Sequence, residues 1–169
     1  MMAKGHMLLA SAITLSVEYI EPDLIENEAI FFPFMILGSL LPDIDEKNSY
    51  IGRRLGAISI FFDSIFEHRT FTHYLFLPVM IFIAGYFVSD MTAKTILYAL
   101  ATGILLHDVG DMLTKGGING FFYPFYKKKK IALLPRFLRF YTNSVTEYFL
   151  TMVLIAINVY MLLALYLLQ

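Results

Sequence analysis

Residues 147–168 read EYFLTMVLIAINVYMLLALYLL, and this stretch decides the class of the molecule. It is close to the ~20 mainly apolar residues that a helix needs to cross a bilayer core. The rest of the chain agrees with it. Of 169 residues, 58% are hydrophobic, against ~45–50% in ordinary soluble domains. A single domain covering residues 1–169 is the natural expectation at this length. The fold class expected is all-α, a polytopic helical membrane protein with about five membrane-embedded helices.

Working back from the C-terminus, the other apolar segments are 95–113, 74–89, 29–42 and 6–20. The first two in the chain are short, so they are tilted, half-inserted or shielded by neighbours. The acidic loop EYIEPDLIENE separates them. Lys4 and the run Met7–Val17 imitate a signal peptide, but Glu18 and Glu21 follow without a small-residue cleavage site, so the segment reads as a retained helix. Residues 53–66 place Leu55, Ile58, Phe61, Phe62 and Ile65 near one helical face, the pattern of an interfacial amphipathic helix. Stretch 115–146 is broken by Gly116, Gly117, Pro124 and Pro135 and reads as a structured loop or short helices.

Threading five segments alternately through a bilayer sorts the charges. All thirteen Lys and Arg except Lys94 fall on the face that holds the N-terminus. Glu18, Glu21, Asp23, Glu26, Glu28 and Asp90 fall on the other. By the positive-inside rule the N-terminal face is cytoplasmic, which makes this a multi-pass protein of the cytoplasmic (inner) membrane. A net charge of −1 argues against nucleic acid as a partner, and the bilayer is the expected one. No cysteine is present, which excludes disulfides and thiolate chemistry.

The same threading gathers seven metal-ligating side chains on that face: His6, Asp43, Asp45, His68, His73, His107 and Asp111. His107 and Asp111 are four apart on a helix and can face one ion. Asp108 points elsewhere on that helix. Asp43 and Asp45 flank Ile44 after Pro42, where an extended turn would aim both the same way. His68 and His73 are about 140° apart on an ideal helix. Either the backbone turns between them, or they serve different ions, or one supports the other. Taken singly, each residue has a bland reading: a satisfied core histidine, a helix cap, a chance HxxxD. All four histidines of the chain meeting three aspartates on one face is harder to explain without a metal. Imidazole and carboxylate donors suit one to three divalent ions, zinc foremost, or manganese or iron.

Arg69 has the planar fork that binds phosphate or carboxylate oxygens, although Glu67 or Asp63 could pair with it instead. Thr72 and Thr114 can donate to substrate or to ligand carboxylates, and equally can cap helices. The Lys127–Lys130 run reads first as a positive-inside anchor, with anionic-lipid attraction at ~1 kcal/mol per lysine.

The N-terminal GH, LLPDID followed by IGRRL, HRTFTH, and HxxxDxLTxxG with a downstream aromatic-Pro pair together resemble the YdjM-type family. The resemblance covers residues 4 to 147 and implies an inner-membrane, metal-dependent hydrolase. It implicates His6, Asp43, Asp45, His68, Arg69, Thr72, His73, His107, Asp111 and Thr114. Tyr74 stands where a serine is common in the family, a departure that bears on any hydroxyl nucleophile there. A looser similarity, of ligand order alone, is to zinc-dependent phospholipase C, in which Glu147 would stand for a late carboxylate ligand. The resulting expectation is hydrolysis of a phosphoester, in a lipid or lipid-linked substrate, with Arg69 stabilising charge and Asp45 or Asp108 as general base. A metal or proton transporter, or an interaction protein with a structural metal, are the competing classes. Transport sites usually lie near the bilayer midplane, and a structural metal has a closed shell.

Overall fold

The computed structural model describes residues 1–57, 59–60, 71–126 and 130–168. Among the described residues the five longer helices are α1 (Ala3–Ile20), α2 (Glu28–Gly38), α3 (Phe76–Phe87), α4 (Met91–Met112) and α5 (Val145–Leu168). They fall on the five apolar segments of the sequence. Three of them start at side-chain caps, α5 at Ser144, whose hydroxyl oxygen accepts from the Glu147 N–H at 3.3 Å. Asn27 accepts from the Ile30 N–H at 3.2 Å and Asp90 from the Ala93 N–H at 2.7 Å, each satisfying a donor that the first helical turn leaves open.

Helix α4 is the centre of the packing and touches α1, α2 and α3, while α5 lies against α1. The α2–α4 crossing is a backbone contact. A Cβ on Gly103 would stand 2.2 Å from the Met35 carbonyl oxygen, and one on Gly38 would stand 2.4 Å from that of Leu100. Only glycine at both positions lets the two helices approach so closely. Ala10, Met35 and Ala99 fill the space beside this crossing. Asn158 ties α5 to α1 by donating to the Leu8 carbonyl at 3.0 Å.

Among the described residues, α5 is the one helix long and apolar enough to cross a bilayer. Only 17% of its apolar stretch is buried inside the protein, so it is not a hidden core helix. Phe149, Met152, Tyr160, Leu163 and Tyr166 point outward instead. Helix α2, with 11 residues, is only ~16 Å long, about half the hydrocarbon thickness. The helices are thus present where the apolar segments predict them, and among the described residues one of them has the length and apolarity to span a membrane.

Two further expectations need adjusting. Over 53–66, a helical turn at Gly52–Leu55 is present, but Ile58, Phe61, Phe62 and Ile65 lie outside the described residues. The 115–146 stretch adds a little strand to a helical protein. β1 (Ile118–Asn119) pairs antiparallel with β2 (Lys130–Ile131), Ile118 opposite Ile131. Buried Ile118 packs on Met112 and Phe121 and seats this loop under the end of α4.

Candidate metal centre

The start of α1, the turn after α2, the turn before α3 and the end of α4 meet at one end of the bundle. His6 enters from α1 and His107 and Asp111 from α4. The 3-10 turn Leu41–Asp45 brings Asp43 and Asp45, and a second turn, Phe71–His73, brings Thr72 and His73. His6, His73, His107, Asp45 and Asp111 are fully buried. The His6 and His107 rings stack at 3.7 Å, and His73 meets His107 edge-on at 5.1 Å.

Distances among these groups are those of ligands around an ion. His6 Nε2 is 3.4 Å from Asp111 Oδ1, His73 Nε2 is 3.7 Å from Asp111 Oδ2, and His107 Nε2 is 3.7 Å from Asp43 Oδ1. Hydrogen bonds are shorter, at ~2.7–3.2 Å. Two donors each ~2.1 Å from a tetrahedral zinc are ~3.4 Å apart. Two triads satisfy the mutual spacing, His6–His107–Asp111 and Asp43–His73–His107. Both ring nitrogens of His6 and Nε2 of His107 are buried without a hydrogen-bonding partner among the described residues. Buried polar atoms rarely stay so, and a cation is what this donor set fits.

The surrounding hydrogen bonds fix which nitrogen points inward. His107 Nδ1 lies 2.7 Å from the Ser39 carbonyl, which can only accept, so Nδ1 carries the proton and Nε2 the lone pair. His73 is set in the same way through a relay. Thr72 spends its one hydroxyl proton on Asp45 Oδ2 at 2.7 Å, so its oxygen, 3.0 Å from His73 Nδ1, accepts from that ring. Nε2 of His73 then faces Asp111. Asp45 therefore sits behind His73, a placement that spacing alone could not distinguish from direct ligation. Gly110 leaves room for His6, since a Cβ there would stand 2.9 Å from His6 Nδ1.

The remaining sequence candidates fall as follows. Asp108 is buried beside His107 but joins neither triad, and among the described residues both its oxygens are without a hydrogen-bonding partner. The Thr114 hydroxyl donates to the Asp111 carbonyl at 2.8 Å, as a helix-end contact. Glu147 is buried, but its two oxygens accept the Met2 and Asn143 N–H groups at 2.6 Å each. It anchors the chain start to α5. The Met1 ammonium donates to Asp111 Oδ1. His68, Arg69, Glu67 and Asp63 lie outside the described residues.

Access is through Asp43, whose side chain keeps 16% of its surface exposed. It lines a cleft of about 560 Å³ together with Lys4, Glu46, Ser49, Tyr50 and Arg53. Arg53 and Lys4 share this cleft with Asp43, whereas in the sequence they stand out only as membrane-face charge. Their nearness to Asp43 depends on the turn at Gly52, where a Cβ would stand 2.2 Å from the Glu46 carbonyl, and no linear spacing announces it.

The family model described as "YdjM inner membrane protein" matches residues 1–169. The inner membrane protein YdjM of Escherichia coli (strain K12) is 35% identical over 125 residues, 70% of this chain and 63% of the relative. YdjM of Shigella flexneri matches to the same extent. The uncharacterized protein YvsG of Bacillus subtilis (strain 168) is 39% identical over 84 residues, 49% of this chain and 51% of the relative. The matched regions thus span between about half and just under two-thirds of the relatives' lengths. No solved structure matches.

Proposed function

The chain belongs to the YdjM inner membrane protein family, and from that premise we propose that it is a membrane-bound metal-dependent hydrolase acting on a phosphoester. The observation that carries this reading is the convergence of buried His6, His73, His107 and Asp111 with the partly exposed Asp43 at ion-ligand spacing. Position favours hydrolysis over transport. The centre lies where α1 begins and α4 ends and opens to a cleft, whereas transport sites usually lie at the midplane of discontinuous helices. A purely structural ion would need no such cleft.

The ligand set would be His6, His107 and Asp111, with Asp43 and His73 completing it or holding a second ion. An ion bound there supplies Lewis acidity toward a phosphoryl oxygen and eases deprotonation of water. The protein's own residues do the rest. Ser39 and the Thr72–Asp45 pair hold two imidazoles in the tautomer that presents Nε2. Lys4 and Arg53 in the cleft, and Arg69 from the sequence resemblance, offset charge on the phosphate. With Asp45 committed to Thr72, Asp108 is the proposed acceptor of the proton from water. The water oxygen bonds to phosphorus as the ester phosphorus–oxygen bond breaks, and the proton then passes to the leaving alcohol. With the site at the cytoplasmic face, at headgroup depth, the proposed substrate class is a lipid or lipid-linked phosphoester.

The test is metal analysis of the purified protein beside a phosphoester panel. A bound zinc, manganese or iron ion and an activity lost on both chelation and His107→Ala are expected. Activity that survives both treatments would sink the reading.

A further inference from the structure

The loop 112–146 contains no Asp or Glu. Four of its cations, Lys115, Lys130, Arg136 and Arg139, line one cavity of about 370 Å³, and among the described residues they are the only ones that do. We propose that this cavity is a phosphate-binding site, separate from the metal centre and independent of any hydrolase reading.

A positive-inside charge bias requires cations on one side of the membrane. It does not require them to converge on a concavity, where like charges repel. Here the backbone enforces the convergence. The Lys115 N–H donates to the Phe140 carbonyl at 2.9 Å, placing Lys115 beside Arg139. Pairing of Asn119 with Lys130 in the β1–β2 ladder brings the third cation across. Side-chain contacts then aim the groups. Lys130 Nζ donates to the Lys115 carbonyl at 2.7 Å, and Arg139 Nε to the Leu134 carbonyl at 2.7 Å. Lys115 Nζ rests over the Tyr141 ring at 4.1 Å. Among the described residues none of the four forms an ion pair.

Two ammonium groups and two guanidinium forks around one cavity fit a multiply charged, many-oxygen anion, which is a phosphate monoester or diphosphate rather than a lone carboxylate. That phosphate can belong to a lipid headgroup or to a soluble compound. Phe137 and Leu138, exposed between the two arginines, would reach the apolar side of the interface in the first case.

The experiment uses full-length protein stripped of metal by a chelator. One arm titrates inorganic phosphate and diphosphate into detergent-solubilised protein by calorimetry. The other compares phosphatidylglycerol with phosphatidylcholine nanodiscs for protection of Lys115 and Lys130 from amine acetylation. Binding is expected in at least one arm, and which arm responds identifies the source of the phosphate. Arg136→Gln with Arg139→Gln should weaken it at least tenfold, whereas Lys94→Gln, at the far end of α4, should not change it. The acetylation readout needs no variant and so stands even if the double variant misfolds. Absence of binding in both arms overturns the proposal. So does a folded double variant that binds as tightly as the parent.

Discussion

Thr72 and His73 are consecutive in the chain and act as one unit. The Thr72 hydroxyl donates to Asp45 at 2.7 Å, and its oxygen takes the proton of His73 Nδ1 at 3.0 Å. An aspartate on one turn thereby sets the tautomer of a histidine on another, with both carried in the protein interior. His107 reaches the same state from a single backbone carbonyl, that of Ser39. The two imidazoles are thus fixed by unrelated means toward one point.

Removing the relay should cost metal affinity without removing a ligand. Thr72→Val keeps the shape and deletes the hydroxyl, leaving His73 Nδ1 and Asp45 without their common partner. Loss of a supporting hydrogen bond of this kind lowers metal affinity ~10–100-fold. Thr72→Ser should restore most of it. Competition with a chromogenic chelator measures the change, and equal affinity in Thr72→Val and the parent would refute the relay.

The α2–α4 crossing should be intolerant of a single methyl group. At Gly103 a Cβ meets the Met35 carbonyl at 2.2 Å and the Ser39 nitrogen at 2.6 Å, both backbone atoms that cannot step aside. Gly103→Ala is expected to cost ~1–3 kcal/mol, the usual range for overpacking. It should also lower metal content, because Ser39 carries the carbonyl that orients His107. Gly85→Ala is the contrast. Its nearest obstruction is the Tyr98 side chain at 2.6 Å, which can shift, so denaturation should show a smaller loss.

What the sequence disclosed follows from what each signal depends on. Apolar runs report helices directly, and all five segments became helices because their hydrophobicity is local. The i,i+4 pair His107 and Asp111 was legible for the same reason, helix geometry being fixed. Roles that depend on tertiary neighbours were not. Asp43 and Asp45 looked equivalent around Ile44, yet one faces His107 and the other stands behind His73. Arg53 reads as surface charge until the turn at Gly52 carries it to the cleft of Asp43. Lys115 and Arg139 lie far apart in sequence, and the Thr114–Phe140 bridge brings them together. Glu147 resembled a ligand by its order in the chain, but two backbone N–H groups occupy its oxygens.

The five-span threading itself makes a prediction about sidedness. It places the α3–α4 connection, with Ser89 and Asp90, on the face opposite the metal centre, and Asn48 on the same face as the centre. Both Ser89 and Asn48 are exposed, and the chain has no cysteine of its own, so single-cysteine variants give a clean readout. In intact spheroplasts, Ser89→Cys should react with a membrane-impermeant maleimide, while Asn48→Cys should react only after lysis. Both substitutions sit in loops and leave the bundle packing untouched. Labelling of both positions from one side would mean that α3 does not cross, and the five-span threading would fall. Lys94 would then join the other twelve basic residues on one face, and the sorting that supported the threading would be lost.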